Sequence, residues 1–417
     1  MLTGAAPFLF SLEQNISDTH PICSHHRCKE QRKTGVFRHR PQLNCYISFH
    51  RAMESTLYAK GSQLSLSVFE HGRDQAVPAR QLTVTILELA SAPTMSVVIK
   101  VSLRDDDSGL PRPAILKMYD RRVSPSLRRN YNPAYDDDAE SAWGEYVRDG
   151  KAPALFAFLR EKHRREEEEG QLVDTDSETD PGSSEDDDEG AGVGLGRGGR
   201  KKRPRTADEM REKKGKREGI MQWKALQLFE CETRAYAKLS HLQGRCVPRL
   251  LTQVYLTVEK TPRDLGVDDN DDNPTHHRDY FEVRGVLMEY VDGFNLSDLN
   301  QTDVPEHKWH GIVQQAVDAA QCINDAGVIN LDCQPRNVVV QREDLRPFHI
   351  DFAQCLFAED IGWTEFEETR LRLGNQKAIG NVMVGKLKRA GVHLPVIRYD
   401  NGDRDCHDTE GGSSYRA

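Results

Sequence analysis

The 417-residue sequence has no long hydrophobic run, few aromatic residues and only scattered cysteines. No apolar stretch approaches the roughly 18 residues that span a bilayer, so we expect no membrane association. The nine cysteines are odd in number and irregularly spaced. This usage is typical of a reducing compartment, and argues against a disulfide framework. We therefore expect an intracellular protein, in the nucleus or the cytoplasm.

The sequence also has no excess of positive charge, because 66 Asp and Glu residues outnumber 57 Lys and Arg residues and the net charge is −9. This balance argues against a protein that binds nucleic acid over its whole surface. The polar ends predict disordered tails at residues 1–77 and 401–417. Residues 121–219 predict an insertion with a helical first part and a disordered second part, where blocks of like charge cannot bury a core. Its basic segment, residues 200–217, could be a nuclear import signal, a nucleic-acid tether or only a solvated charge run.

Alternating apolar residues predict five strands in the first part of the chain, at residues 82–89, 96–103, 114–119, 246–258 and 280–290. The third strand carries Lys117 between apolar neighbours, where a lysine is either exposed to solvent at a strand edge or held by an anion. A helix is predicted over residues 221–242, where Glu232 lies on the same stripe as Leu228 and Tyr236. A carboxylate on an apolar face is costly unless it is paired. Burial therefore predicts an ion pair between Lys117 and Glu232.

Three polar residues with oxygen ligands occur close together in the chain, at Asp332, Asn337 and Asp351. They flank two short apolar runs, residues 338–340 and 348–350, which read as strands. Antiparallel pairing of these strands would place the loop before the first beside the loop after the second. Two carboxylates and an amide would then converge, and such oxygen ligands suit Mg²⁺. The alternative is that they are ordinary loop residues, since Asp and Asn are common in loops.

The order of these features resembles the catalytic and metal-binding loops of the protein-kinase-like fold, which includes the aminoglycoside and choline phosphotransferases. The order is aspartate, proline, asparagine, strand, turn, strand, then Asp-Phe-Ala. The pattern is also similar to fungal kinase-like proteins. The resemblance implies a two-lobed α+β fold. The small, nucleotide-binding lobe would span residues 78–290, with a five-stranded antiparallel sheet and a helix. The large, catalytic lobe, residues 291–400, would be reduced and mainly helical.

The resemblance also implies a role for each polar residue. Asp332 matches the catalytic base that receives the proton of the attacking hydroxyl. Asn337 and Asp351 match the Mg²⁺ ligands that bridge ATP phosphates. Lys117 matches the strand lysine that contacts the α- and β-phosphates, and Glu232 matches the helix glutamate that holds this lysine.

The end of the fifth strand resembles a kinase hinge, where backbone groups of Glu289, Tyr290 and Val291 would hydrogen-bond the adenine edge. Two features depart from the family. The turn at residues 90–95 has no glycine, whereas kinases place a glycine-rich loop there. Asn330 stands where kinases usually carry histidine.

We therefore predict an ATP- and Mg²⁺-dependent phosphotransferase that transfers the γ-phosphate to a hydroxyl. The acceptor, a protein Ser/Thr or a small molecule, is left open by the sequence. The alternative is a nucleotide-binding pseudokinase or scaffold, favoured by the missing glycines and by Asn330. A third hypothesis is a nuclear interaction protein that works through the charged insertion.

Overall fold

The computed structural model describes residues 57–69, 80–90, 94–104, 111–128, 135–168, 206–257 and 280–399. The predicted C-terminal tail, most of the N-terminal tail and residues 200–205 of the basic segment lie outside them. The strands are β1 (Gln63–Phe69), β2 (Arg80–Leu89), β3 (Val97–Arg104), β4 (Pro111–Met118), β5 (Leu250–Thr257), β6 (Glu282–Glu289), β7 (Gly293–Asn295), β8 (Val328–Asn330), β9 (Val338–Gln341), β10 (Pro347–His349) and β11 (Cys355–Phe357). The helices are α1 (Pro125–Arg128), α2 (Asp137–Arg148), α3 (Lys151–Glu168), α4 (Ala207–Lys238), α5 (Glu306–Asp325), α6 (Ala358–Ile361), α7 (Trp363–Leu373) and α8 (Asn375–Arg389).

Six antiparallel strands form a closed barrel in the order β1-β2-β3-β4-β6-β5. Strand β1 closes it, because it pairs with β2 on one side and with β5 on the other. The prediction of a five-stranded sheet is therefore wrong, and so is the assignment of residues 63–69 to a disordered tail. Leu64 and Leu66 of β1 are buried in the barrel. The alternation in this strand is short and lies among polar residues, so the sequence pattern did not reveal it. Closure of the barrel by this strand removes the exposed edges of the sheet.

Leu66→Ala is expected to destabilise the protein by about 2–5 kcal/mol, because it leaves a cavity inside the barrel. Leu66 is fully buried. The free energy of unfolding should be measured by denaturant titration. Leu251→Ala is the matched control, since Leu251 is an exposed leucine on β5. If β1 contributed nothing to the core, the two variants would be equally stable.

Helix α4 begins at Ala207, well before the predicted start at Met221. The basic residues 213–217, predicted to be disordered, are thus helical. Two features explain the earlier start. Thr206 and Glu209 form a capping box at the N-terminus. Helices α2 and α3 pack against α4 so closely that a Cβ at Gly219 would lie 2.6 Å from the ring of Trp143.

The C-terminal part packs α5 and α8 around a core that includes Trp309, Val313 and Met383. Strands β9 and β10 pair antiparallel, as predicted, with Val338 opposite His349. Helix α5 ends at Asp325, and Gly327, two residues later, has a φ of 76° in the left-handed region. In the described part of the chain, no helix is both long and apolar enough to cross a bilayer.

Candidate active site

The structure brings Lys117 and Glu232 into direct contact. Lys117 Nζ lies 3.0 Å from Glu232 Oε1, and only 4% of the lysine side chain and none of the glutamate is exposed. Strand β4 alternates, so that Leu116 and Met118 fill the barrel while Lys117 points towards α4. Glu232 lies on the buried stripe of α4. Each charge is thus compensated by its partner, as the burial argument requires.

Asp351, which follows β10, is the second partner of the lysine. Its Oδ1 lies 2.8 Å from Lys117 Nζ, and the N–H of Phe352 donates to Glu232 Oε1 at 3.2 Å. The positive charge of Lys117 is the main cause that lowers the pKa of Asp351 below its usual value. Burial by itself would lower the pKa of Lys117, but the charges of Asp351 and Glu232 raise it instead. Lys117 and Asp351 are therefore both ionised at neutral pH.

The backbone at Asp351 has a φ of 65°, which is rare for a residue other than glycine. Such conformations cost free energy and cluster at functional sites, where the surrounding contacts hold them in place. Here the surrounding contacts are those to Lys117 and Asn330. The strained turn directs the carboxylate of Asp351 back towards β4.

Tyr119 is a site residue that the sequence analysis missed. Its hydroxyl donates to Glu232 Oε2, which also lies 2.9 Å from Lys117 Nζ. Burial is the largest cause that raises the pKa of Tyr119, and the charges of Glu232 and Asp351 raise it further. The phenol thus stays protonated and acts as a donor. The available signal was its position two residues after Lys117, on the same face of the strand predicted over residues 114–119.

Asp332 and Asn337 meet in the loop between β8 and β9. The amide nitrogen of Asn337 donates to the backbone oxygen and to Oδ2 of Asp332, both at 2.9 Å. Arg336, which the sequence analysis also missed, donates to Asp332 Oδ1 at 2.6 Å. Both carboxylate oxygens of the predicted base are therefore occupied. The arginine side chain is 56% exposed, so its contact is open to exchange with a ligand.

Asn330 connects the two loops. Its Nδ2 donates to the backbone oxygen of Asp351 at 3.0 Å, and its Oδ1 accepts from the N–H of Asp332 at 2.8 Å. Asn330 is buried. A backbone hydrogen bond also joins the two loops, because the N–H of Ile350 donates to the backbone oxygen of Asn337 at 2.9 Å. The residue that departs from the family pattern thus uses both ends of its amide to hold the loops together.

The three predicted hinge residues lie at the end of β6. Because Glu289 pairs with Ala114 and Val286 pairs with Lys117, this end lies about 10 Å from Lys117 along the ladder. The N–H of Glu289 already donates to the backbone oxygen of Arg249 at 2.9 Å. Glu289 therefore cannot offer that N–H to a base, and the hinge contacts of Glu289, Tyr290 and Val291 stay a prediction.

The donor set fits Mg²⁺ bound together with a phosphate. Among the residues that the structure describes, no group of three or more His, Cys, Asp and Glu side chains could hold a metal ion. Mg²⁺ commonly uses only one or two carboxylates plus phosphate oxygens and water. The side chain of Asp351 is 44% exposed and so remains within reach of a ligand. The amide nitrogen of Asn337 is engaged, which leaves its oxygen for a cation.

Comparisons with known proteins give only distant similarities. No family model and no curated protein matches the chain. The chain is similar to the kinase domain of Mycobacterium tuberculosis PknI, at 11% identity, with 65% of this chain and 59% of that chain covered and a TM-score of 0.27. It is also similar to Rad53 1–466 in complex with AMP-PNP, at 13% identity, 76% and 51% coverage and a TM-score of 0.32. The third, the bifunctional kinase-methyltransferase WbdD, has 14% identity, 43% and 39% coverage and a TM-score of 0.22.

The chain therefore spans about six-tenths of the PknI structure and about half of the Rad53 structure. The PknI and WbdD structures are described as kinases, and the Rad53 structure holds AMP-PNP. With identities and TM-scores this low, the similarities carry no argument about activity, which has to be inferred from the site itself. The expected similarity to fungal kinase-like proteins stays a prediction.

Proposed function

We propose that this protein is an ATP- and Mg²⁺-dependent phosphotransferase that transfers the γ-phosphate to a hydroxyl. The observation that supports the proposal is the convergence of Lys117, Glu232 and Asp351 on one ion-paired cluster. Asn330 ties this cluster to the loop that carries Asp332. Phosphoryl transfer requires a fixed positive charge, oxygen ligands for a metal ion and a carboxylate near the acceptor hydroxyl.

Within this proposal, Lys117 contacts the phosphates of ATP. Glu232 and Tyr119 keep its ammonium group in place, so that little reorganisation is needed during the reaction. Asn337 and Asp351 would hold Mg²⁺, which when bound neutralises charge on the phosphates. Because Asp351 also contacts Lys117, the two positive charges would be positioned by one side chain.

Asp332 orients the acceptor hydroxyl and takes its proton. Asn337 fixes the carboxylate through Oδ2, while Arg336 covers Oδ1. An acceptor must displace this exposed arginine to reach Oδ1, and the freed guanidinium would then be available to an anionic group nearby. The acceptor itself, a protein hydroxyl or a small molecule, is not fixed by these contacts.

A nucleotide-binding pseudokinase is the second candidate, and the Arg336–Asp332 contact is the observation that favours it. If the arginine is never displaced, ATP binds but no proton acceptor is available.

The first test is a thermal shift with ATP, with and without Mg²⁺, in which both candidates predict Mg²⁺-dependent stabilisation. The second is transfer of labelled γ-phosphate into cell extract, separated into protein and metabolite fractions. Labelled product in either fraction supports the phosphotransferase, whereas stabilisation without product supports the pseudokinase.

Asn330→Ala should weaken Mg²⁺-dependent stabilisation by ATP, because the two loops would no longer be held together. It should also cost about 1–3 kcal/mol of stability, since the N–H of Asp332 loses its acceptor. Thermal shift and denaturant unfolding measure the two effects. Asn375→Ala is the matched control, a buried asparagine that bonds Asn324 instead. Equal responses of both variants to ATP would show that Asn330 has only a structural role.

A further inference from the structure

Two cysteines lie where helix α4 meets strand β11. Cys231 directly precedes Glu232, and Cys355 comes four residues after Asp351. The N–H of Cys355 donates to Cys231 Sγ at 3.2 Å. The same sulfur lies 3.6 Å from the backbone oxygen of Phe352 and 3.8 Å from that of Cys355. Although they are 124 residues apart in the chain, the two cysteines are in contact.

The two thiols differ in acidity, because their pKa values are shifted in opposite directions. A hydrogen bond from the Cys355 thiol is the largest cause that lowers the pKa of Cys231, and the nearby charge of Arg234 lowers it further. Burial is the largest cause that raises the pKa of Cys355 well above its usual value. Both cysteines are free and only partly buried, so a small oxidant can reach them. A partly exposed cysteine of low pKa beside a second thiol is the usual arrangement of a redox-sensitive pair.

We propose that Cys231 and Cys355 form a reversible disulfide when the protein meets hydrogen peroxide. The sulfur of Cys231 attacks one peroxide oxygen, the O–O bond breaks, and a sulfenic acid and water result. The sulfur of Cys355 then attacks the sulfenic sulfur, so that the S–S bond forms, the S–O bond breaks, and a second water leaves with the proton of Cys355. Two thiols are oxidised by two electrons in total, and the peroxide is reduced to two waters. A small thiol reductant reverses the step.

A consequence for the site rests on the proposed function. Bonded sulfurs are about 2.05 Å apart, much closer than thiols in hydrogen-bond contact. The side chains of Cys231 and Cys355 must therefore change position when the disulfide forms, and the disulfide then ties helix α4 to the segment after Asp351. Glu232 and Asp351 both hold Lys117, and each lies close to one of the cysteines. We expect the oxidised protein to show a smaller Mg²⁺-ATP thermal shift, which returns to the reduced value after treatment with dithiothreitol.

The disulfide is tested by treating the full chain with increasing amounts of hydrogen peroxide, blocking the remaining thiols and digesting without reductant. Mass spectrometry should find a linked pair of peptides that contain Cys231 and Cys355, lighter than the sum of the two by two hydrogen atoms. The link should disappear after dithiothreitol. Pairing of either cysteine with another partner, or oxidation of other cysteines while this pair stays reduced, would overturn the proposal. The measurement needs no nucleotide, so it is independent of the proposed activity.

Single serine variants test the order of the steps. In Cys355→Ser, oxidation should stop at the sulfenic acid of Cys231, which dimedone labels. In Cys231→Ser, Cys355 should show little dimedone labelling. Cys322→Ser is the control, because Cys322 packs against the same core but lies outside the pair, and it should keep the cross-link. Dimedone labelling of Cys355 in preference to Cys231 would contradict the assignment of Cys231 as the attacking sulfur.

Discussion

Asp332→Asn is expected to lower the rate of phosphate transfer by a factor of about 10² to 10⁴, the usual contribution of a positioned general base. The amide keeps the size of the carboxylate but cannot accept the proton of the hydroxyl. Binding of nucleotide should change little, because the cluster around Lys117 does not include Asp332. The measurements are transfer of labelled γ-phosphate and the Mg²⁺-ATP thermal shift, made on the same preparations.

Asp318→Asn is the matched control for this variant, since Asp318 is an exposed aspartate on α5 that accepts a hydrogen bond from Gln314. It should transfer phosphate at the parent rate. A fully active Asp332→Asn variant would remove Asp332 from the mechanism. A variant that lost both transfer and the ATP thermal shift would instead point to a disturbed loop, which circular dichroism and unfolding curves would reveal.

Lys117→Met is expected to abolish the Mg²⁺-ATP thermal shift and to destabilise the protein by about 3–5 kcal/mol. The substitution leaves the carboxylate of Glu232 fully buried without its cation. The cost should fall towards the lower end of this range, because Tyr119 and the N–H of Phe352 still donate to Glu232. Denaturant unfolding gives the stability, and thermal shift gives the binding.

The double variant Lys117→Met with Glu232→Gln separates stability from function. Removal of the buried negative charge should restore part of the stability lost in Lys117→Met, but not the response to ATP. Lys151→Met serves as the control, because Lys151 forms exposed ion pairs whose loss should cost at most about 1 kcal/mol. If Glu232→Gln alone bound nucleotide as tightly as the parent, Glu232 would have no part in holding the lysine for ATP.

The two errors in the predicted fold have a common origin. Strand β1 and the first turns of α4 lie next to polar or charged segments, and local composition favoured disorder for both. Each is stabilised by partners far away in the chain: β1 by β5, and α4 by α2 and α3. Composition averaged over a window reports what a segment can bury by itself, whereas these segments bury surface that other segments supply.

The sequence by itself predicted which two charged side chains form the ion pair of the site. The helical stripe through Glu232 predicts a buried carboxylate that needs a cation, and Lys117, between apolar residues of a predicted strand, is the partner predicted for it. The spacing of Asp332, Asn337 and Asp351 around two short strands also predicted that their loops are neighbours. These inferences depend only on local periodicity, which the chain carries wherever it folds.

Only the tertiary structure decided which groups complete the site. Asp351 reaches Lys117 across 234 residues, and Cys231 meets Cys355 across 124. Arg336 and the bridging amide of Asn330 were identified as site residues only with the packed elements in place. The direction of a side chain in a loop depends on backbone angles such as the positive φ at Asp351. Those angles are fixed by contacts between distant segments, and no local pattern in the sequence encodes them.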